Sequence, residues 1–174
     1  VDILPASFAH ASQIAQLHWA SWAATYGDVL TPDYLAHTAP AERQRIWAER
    51  LAAPAADQVV LVAEHAGEVA GFSCLYLARH EEWGSYLDNL HVAARWQGQA
   101  IGQRLLRAAA QVCEVRYPGL GLYLLVNQTN ERAQRFYQAN GAHNAQDSVW
   151  HAPDGSTVPT FIFRWPRAST LTRS

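Results

Sequence analysis

No stretch of the chain comes near the roughly 20 consecutive apolar residues that a membrane-crossing helix needs. The first ten residues, VDILPASFAH, lack the basic-then-apolar order of a secretory leader, so a cytoplasmic location is expected. Charge is also scarce. Only 16% of residues are charged, and the formal net charge is −2 with the histidines neutral. Such a balance projects no basic field toward nucleic acid or an anionic membrane, and neither is expected as a partner. Cysteine occurs twice, at Cys74 and Cys113, each in an apolar segment and outside any Cys-x-x-Cys pair. Free buried thiols are the expectation, with no disulfide framework. The eight histidines are scattered, without His-x-x-x-His or His/Cys spacing, so no metal site is expected.

What is plentiful is apolar. It makes up 49% of the 174 residues, which suits one globular domain with its own core. We read that domain over residues 1–166 and expect the polar tail, 167–174, to fray. VDILPA reads as a short edge strand closed by Pro5. From Ser12, a candidate N-cap, apolar residues Ile14, Leu17, Trp22 and Tyr26 recur at helical spacing. Thr31-Pro32 opens a short helical piece, and Pro40 opens a helix that Pro54 stops. QVVLVAEH and EVAGFSCLYLA read as strands joined at Ala66-Gly67, with SYLDNLHV as the next strand. A helix follows from about Ala100 to Arg116, then the strand GLYLLV and the helix NERAQRFYQAN, closed by Gly141. DSVWHA and TVPTFIFRW make a last hairpin around Asp154-Gly155. That order predicts a mixed α/β sheet, with parallel strands on either side of the middle crossover helix.

The segment RWQGQAIGQRLL, Arg95–Leu106, sets small residues directly before a helix. A helix N-terminus exposes unpaired N–H groups and partial positive charge, and small residues let an anion approach them. A P-loop is excluded, because Gly98 and Gly102 are too close and no Lys-Ser or Lys-Thr follows. The dinucleotide fingerprint G-x-G-x-x-G does not fit either. The segment does match Q/R-x-x-G-x-G/A after a strand bearing L-x-V. Gln97, Ile101 and Gly102 fit, Leu90-His91-Val92 supplies L-x-V, and Ala100 replaces the first glycine. Farther on, NERAQRFYQANGA, Asn130–Ala142, matches N-x-x-A-x-x-F-Y-x-x-x-G-F, with Ala142 replacing the final aromatic. In these two motifs, and in the opening stretch HWASWAATYGDVLTPDYL, the chain resembles the GNAT superfamily of N-acetyltransferases.

The resemblance implies a mixed, mostly antiparallel seven-stranded sheet with a central parallel pair splayed around acetyl-CoA, and no metal. The pantetheine arm would pair like an added strand near Leu90, His91 and Val92. The pyrophosphate would rest on N–H groups of the loop Gln97, Gly98, Gln99, Ala100, Ile101, Gly102 and Gln103. Asn130 would cap its helix and orient the coenzyme. Tyr137, in the F-Y slot, would contact the coenzyme and protonate the leaving thiolate. The implied activity is direct acetyl transfer to a primary amine, of a small molecule or a peptide, in a ternary complex. The alternative is a non-catalytic acyl-CoA-binding or regulatory module on the same fold. The state would be a monomer or homodimer.

The base is less directly marked. Many relatives carry a glutamate four residues before L-x-V, where this chain has Tyr86. Asp88, two residues on, shares that strand face. It would take the amine proton, directly or through water, or else bind substrate as a fixed carboxylate. By strict alternation His91 faces the opposite side from Asp88, and His80, Glu81 and Glu82 are weaker candidates. The first helices and the last hairpin should line the acceptor pocket, with Trp22, Tyr26 and Tyr86 as substrate-binding residues and Trp19, Tyr34 and Trp83 nearby. One or two of these aromatics could cage a cationic amine.

Overall fold

Seven strands form in the computed structural model, which describes residues 1–173. They are β1 (Asp2–Pro5), β2 (Gln58–His65), β3 (Glu68–His80), β4 (Gly84–Val92), β5 (Leu122–Asn127), β6 (His143–His151) and β7 (Thr157–Trp165). They lie in one sheet in the order β1-β2-β3-β4-β5-β7-β6. Every neighbouring pair is antiparallel except β4 and β5, the two strands that flank the crossover helix. The helices are α1 (Ala11–Thr25), α2 (Ala39–Ala52), α3 (Ile101–Arg116) and α4 (Glu131–Ala139).

Alternation along the strands sorts the core into two layers. Val60, Val62, Phe72 and Cys74 meet Ile14, Leu17 and Trp47 of α1 and α2 on one face. Leu61, Leu75, Leu87 and Leu124 meet Leu105, Leu106 and Cys113 of α3 on the other. Among the described residues, no helix is long and apolar enough to cross a membrane.

Two expectations about where elements begin and end are corrected. The first long helix begins at Ala11, so Ser12 lies inside it. Its N-cap is His10, which makes no side-chain capping bond to it; Ser7 opens the short turn Phe8–His10 before it, its N–H donating to His10 Nδ1 at 2.9 Å. The tail does not fray after Pro166. Ala168–Leu171 forms a 3₁₀ turn whose Ala168 and Leu171 are buried in the α3 layer. The Ala168 N–H also donates to the Leu120 carbonyl at 2.9 Å. Two apolar residues three positions apart suffice to dock a segment that is otherwise polar. Ser174 lies outside the described residues.

The central parallel pair is short, and that shortness makes the site. It starts tightly: a Cβ on Gly84, which has φ +86°, would overlap the Gly121 carbonyl. Only Ser85 and Tyr86 then pair with Leu122 and Tyr123. On the other edge of β4, Cys74 pairs with Asn89 but Leu75 pairs with Leu87, which leaves Asp88 as an extra residue. Such a bulge bends and twists its strand. Past Asp88, β4 leaves β5 and a cleft opens between them. The bulge also corrects the facing of His91. Ladder partners share a face, so Tyr86 goes with Tyr76, Asn89 with Cys74 and His91 with Phe72. All of these point to the α1–α2 layer, where Asp88 also meets Arg50 of α2. His91 and Asp88 are therefore on one side, because strict alternation fails across an inserted residue.

Candidate active site

The cleft between β4 and β5 is a cavity of about 940 Å³. Beyond Tyr86 no β5 residue pairs with β4, so the backbone groups on that edge face the cavity. Buried backbone donors and acceptors need partners, and an extended amide-bearing arm laid along the edge would supply them. Leu90, His91 and Val92 line this part.

Next comes the head of α3. Gly98 and Ala100 both have left-handed backbone, with φ +78° and +58°. Ala100 is the N-cap and makes no side-chain capping bond, so the first-turn N–H groups stay uncapped beside the cavity. Gln97, Gly98, Ala100, Ile101, Gly102 and Gln103 all line it. Gln99 does not: its side-chain amide turns back to the Arg95 carbonyl at 3.5 Å. A Cβ on Gly98 would meet nothing within 4 Å, so the loop leaves open space at its crest. Arg132 of α4 donates to Gln97 Oε1 at 2.7 Å, and Gln97 in turn donates to the Val92 carbonyl at 3.1 Å. That clasp adds a cation to the same wall. Uncapped N–H groups, an open crest and a guanidinium suit a pyrophosphate. Ala100 carries a cost of about 1–2 kcal/mol, because its Cβ crowds the carbonyl in left-handed backbone. Ala100→Gly should therefore raise stability by about 1 kcal/mol in chemical denaturation, with coenzyme A affinity by calorimetry equal or better. A marked loss of affinity would show that the alanine methyl contacts the ligand.

On the far wall, Asn130 caps α4 by accepting the Ala133 N–H at 3.1 Å, and Gly141 closes the helix with φ +88°. Both Asn130 and Tyr137 line the cavity. The Tyr137 ring stands edge-on to Trp165, centroids 6.1 Å apart, and Trp165 is itself pinned by a 2.8 Å bond to the Asn140 carbonyl. Burial pushes the Tyr137 phenol well above its ordinary pKa, and the Tyr26 phenol pushes it further. Tyr137 thus keeps its proton at neutral pH.

At the acceptor end Asp88 faces Arg50, whose Nη1 lies 3.4 Å from Oδ2. Burial raises the Asp88 pKa and Arg50 opposes the rise. The Tyr86 phenol is raised by burial first and by Asp88 second. Trp22, Tyr26 and Tyr86 all line the cavity, as does Trp150 of β6. Trp22 stands edge-on to Tyr26 and to Trp150, which are tilted against each other, with centroids 5.8–6.3 Å apart. Arg43 already covers a face of Trp22 at 4.5 Å. One face of Trp22 is therefore already taken by a cation of the chain itself. Trp19, Tyr34 and Trp83 stand away from the cavity. Trp19 bonds the Leu35 carbonyl, Tyr34 bonds Glu42, and Trp83 stacks on His80. His80, Glu81 and Glu82 sit at the β3–β4 turn and do not line it either.

Several cleft residues were not visible in the sequence. Buried His18 accepts the Trp47 indole N–H on Nδ1 at 2.9 Å, which places its own proton on Nε2. Nε2 faces the Asn89 side-chain amide at 3.5 Å, where an amide oxygen would accept its proton. His91 Nδ1 lies 2.7 Å from Ser21 Oγ. Burial lowers the His91 pKa to about 4 and His18 well below its usual value, so both rings are neutral. This network stiffens β4 against α1.

Residues 12–142 match the acetyltransferase (GNAT) family. The chain belongs to the GNAT family. A stretch of 88 residues is 36% identical to peptidyl-lysine N-acetyltransferase YiaC of Escherichia coli (strain K12). That match takes in 51% of this chain and 54% of YiaC, about half of each. Among solved structures, this GNAT chain resembles PaiA N-acetyltransferase from Thermoplasma acidophilum, determined in complex with coenzyme A. The TM-score is 0.73 and identity 18%, over 95% of this chain and 98% of that one. It also resembles ribosomal-protein-alanine N-acetyltransferase from Brucella melitensis, with TM-score 0.70 and 17% identity over 95% and 99% of the two chains. Identities this low establish a common fold. The observed GNAT sheet has the expected seven strands and single parallel pair. Among the described residues, no group of three or more His, Cys, Asp or Glu side chains is placed to hold a metal.

Proposed function

We propose that this chain transfers the acetyl group of acetyl-CoA to a primary amine, directly and within a ternary complex. The bulge at Asp88 carries the reading. One inserted residue opens the cleft and sets a carboxylate at the point of divergence, while Tyr137 lines the same cavity from α4. The curated relative is named for a lysine amine as acceptor, which agrees with this chemistry.

Acetyl-CoA supplies an activated carbonyl and a thiolate as leaving group. An exposed ammonium of pKa near 10.4 is only about 0.1% neutral near pH 7.4, a cost of roughly 4 kcal/mol. Asp88 takes that proton, directly or through water, and its burial makes it a better acceptor than an exposed carboxylate. The nitrogen then forms the new N–C bond as the C–S bond breaks. Tyr137 gives its proton to the departing sulfur and regains one from the nitrogen through water. One proton is released overall. The phenol is the weaker acid in water, but burial raises the proton affinity of a thiolate in the same cleft as well.

No acetyl-enzyme is needed. Burial pushes Cys74 to about 12 and Cys113 upward, which leaves neither as a usable nucleophile. Incubation with acetyl-CoA alone should give no stable mass increase of about 42 Da on either cysteine. Initial rates against both substrates should intersect in double-reciprocal form. Parallel lines, together with lost turnover in a folded Cys74→Ser or Cys113→Ser variant, would replace direct transfer by a covalent route.

A further inference from the structure

A second chamber, shallow and more open to solvent, of about 490 Å³, meets the cleft at Arg50, Tyr86, Asp88 and Leu125, which line both. Its remaining walls are Tyr76, Arg79 and Tyr123. Asp88 is the only acidic side chain lining either chamber among the described residues. Three guanidinium groups line this end, and two are already held. Arg43 is buried, bonded to Glu42 at 2.6 Å and stacked on Trp22. Arg79 pairs with Asp57 at 3.0 Å and lies over Tyr76. Arg50 differs. Its contact to Asp88 is 3.4 Å, longer than the roughly 2.7–2.9 Å of a well-formed charge-assisted bond. Both partners are about a quarter exposed, 27% and 26%, at the junction of the chambers.

We propose that the acceptor is an amino carboxylate, such as a free α-amino acid, bound with its ammonium on Asp88 and its carboxylate on Arg50. The proposal rests on the acetyl-transfer reading and names its substrate class. A zwitterion inserted into the loose pair exchanges one long ionic contact for two close ones and adds no net charge. Each part-buried charge keeps a partner, and losing that partner is the main cost of opening a buried pair. A polyamine or the side chain of a protein lysine brings positive charge alone. It takes Asp88 and leaves Arg50 unpaired beside Arg43. Tyr76, Tyr86 and Tyr123 wall the second chamber, where the rest of the acceptor would extend.

The test compares free amino acids with their carboxamides, spermidine and a lysine peptide with blocked ends. Acetylation rates are measured for each, together with calorimetric binding to the coenzyme A-loaded protein. The expected result is that the best amino acid exceeds its carboxamide by at least about tenfold in kcat/KM and in affinity, as for loss of one charged contact at a part-buried site. Arg50→Gln should bring that ratio to within about twofold of unity, and Arg50→Lys should keep part of it. The KM for acetyl-CoA should hardly move in either. Carboxamides, spermidine or the peptide acetylated as well as the amino acids would overturn the proposal and leave acetyl transfer standing. If nothing is acetylated although coenzyme A binds, acetyl transfer itself fails. The proposal fails with it, and the binding comparison then shows whether the Arg50 site holds carboxylates at all.

Discussion

Tyr137→Phe is expected to lower kcat by about 10²-fold, near the low end for loss of a general acid because a thiolate leaves tolerably well unaided. The substitution removes one oxygen. The ring keeps its edge contacts with Trp165 and Phe136, so fold and coenzyme affinity should survive. The proton passes only as the C–S bond breaks. The loss should therefore appear in kcat and kcat/KM together, with the KM for acetyl-CoA little changed. The assay must be run where chemistry, not product release, limits the rate. A variant with near-wild-type kcat under those conditions would reduce Tyr137 to a packing residue. A rise in KM alone would assign it to uniform binding of the coenzyme.

Gly102→Asp should weaken coenzyme A binding by about 10- to 100-fold, the scale of a charge-assisted contact turned repulsive. Space is not the reason. A Cβ at Gly102 would lie 3.5 Å from the Phe136 ring and 3.6 Å from Val92 Cγ2, ordinary contact distances. The reason is charge. A carboxylate in the first turn of α3 would take the uncapped N–H groups for itself and repel a pyrophosphate. The same carboxylate favours the helix N-terminus, so thermal stability should hold or rise while affinity falls. That opposition separates a lost anion site from damage to the fold. Unchanged calorimetric affinity in the folded variant would remove the pyrophosphate from this loop.

The stretch of the cleft wall proposed to hold the coenzyme was legible in the sequence because most of its residues are close together in the chain. Eleven named positions, from Leu90 through Gln103 and on to Asn130 and Tyr137, line the cavity, and only Gln99 turns away. Small residues at a strand-to-helix turn leave a local signature, and strands such as β2 declare themselves as short apolar runs rich in valine and leucine. The acceptor side was not legible in the same way. His18, Arg43, Arg50 and Trp150 come from α1, α2 and β6 and meet only in the folded chain. The bulge was invisible for a different reason. Nothing in SYLDNLHV marks Asp88 as the inserted residue, since the insertion exists only relative to the register of β3. That one residue reversed the assigned face of His91. The left-handed backbone of Ala100 was hidden likewise, because alanine is not a residue that announces positive φ.

The most direct test of acetyl transfer pairs two readings on one preparation: calorimetric binding of coenzyme A, and thiol release from acetyl-CoA across an amine panel with the products weighed by mass spectrometry. Coenzyme A should bind, and thiol should appear in step with an N-acetylated amine. Tyr137→Phe should slow both signals equally without changing the binding. Coenzyme A bound tightly with no amine acetylated would rule out acetyl transfer, and would instead fit a non-catalytic acyl-CoA-binding module, with the strained Ala100, Ala142 and the tyrosine at position 86 as its marks.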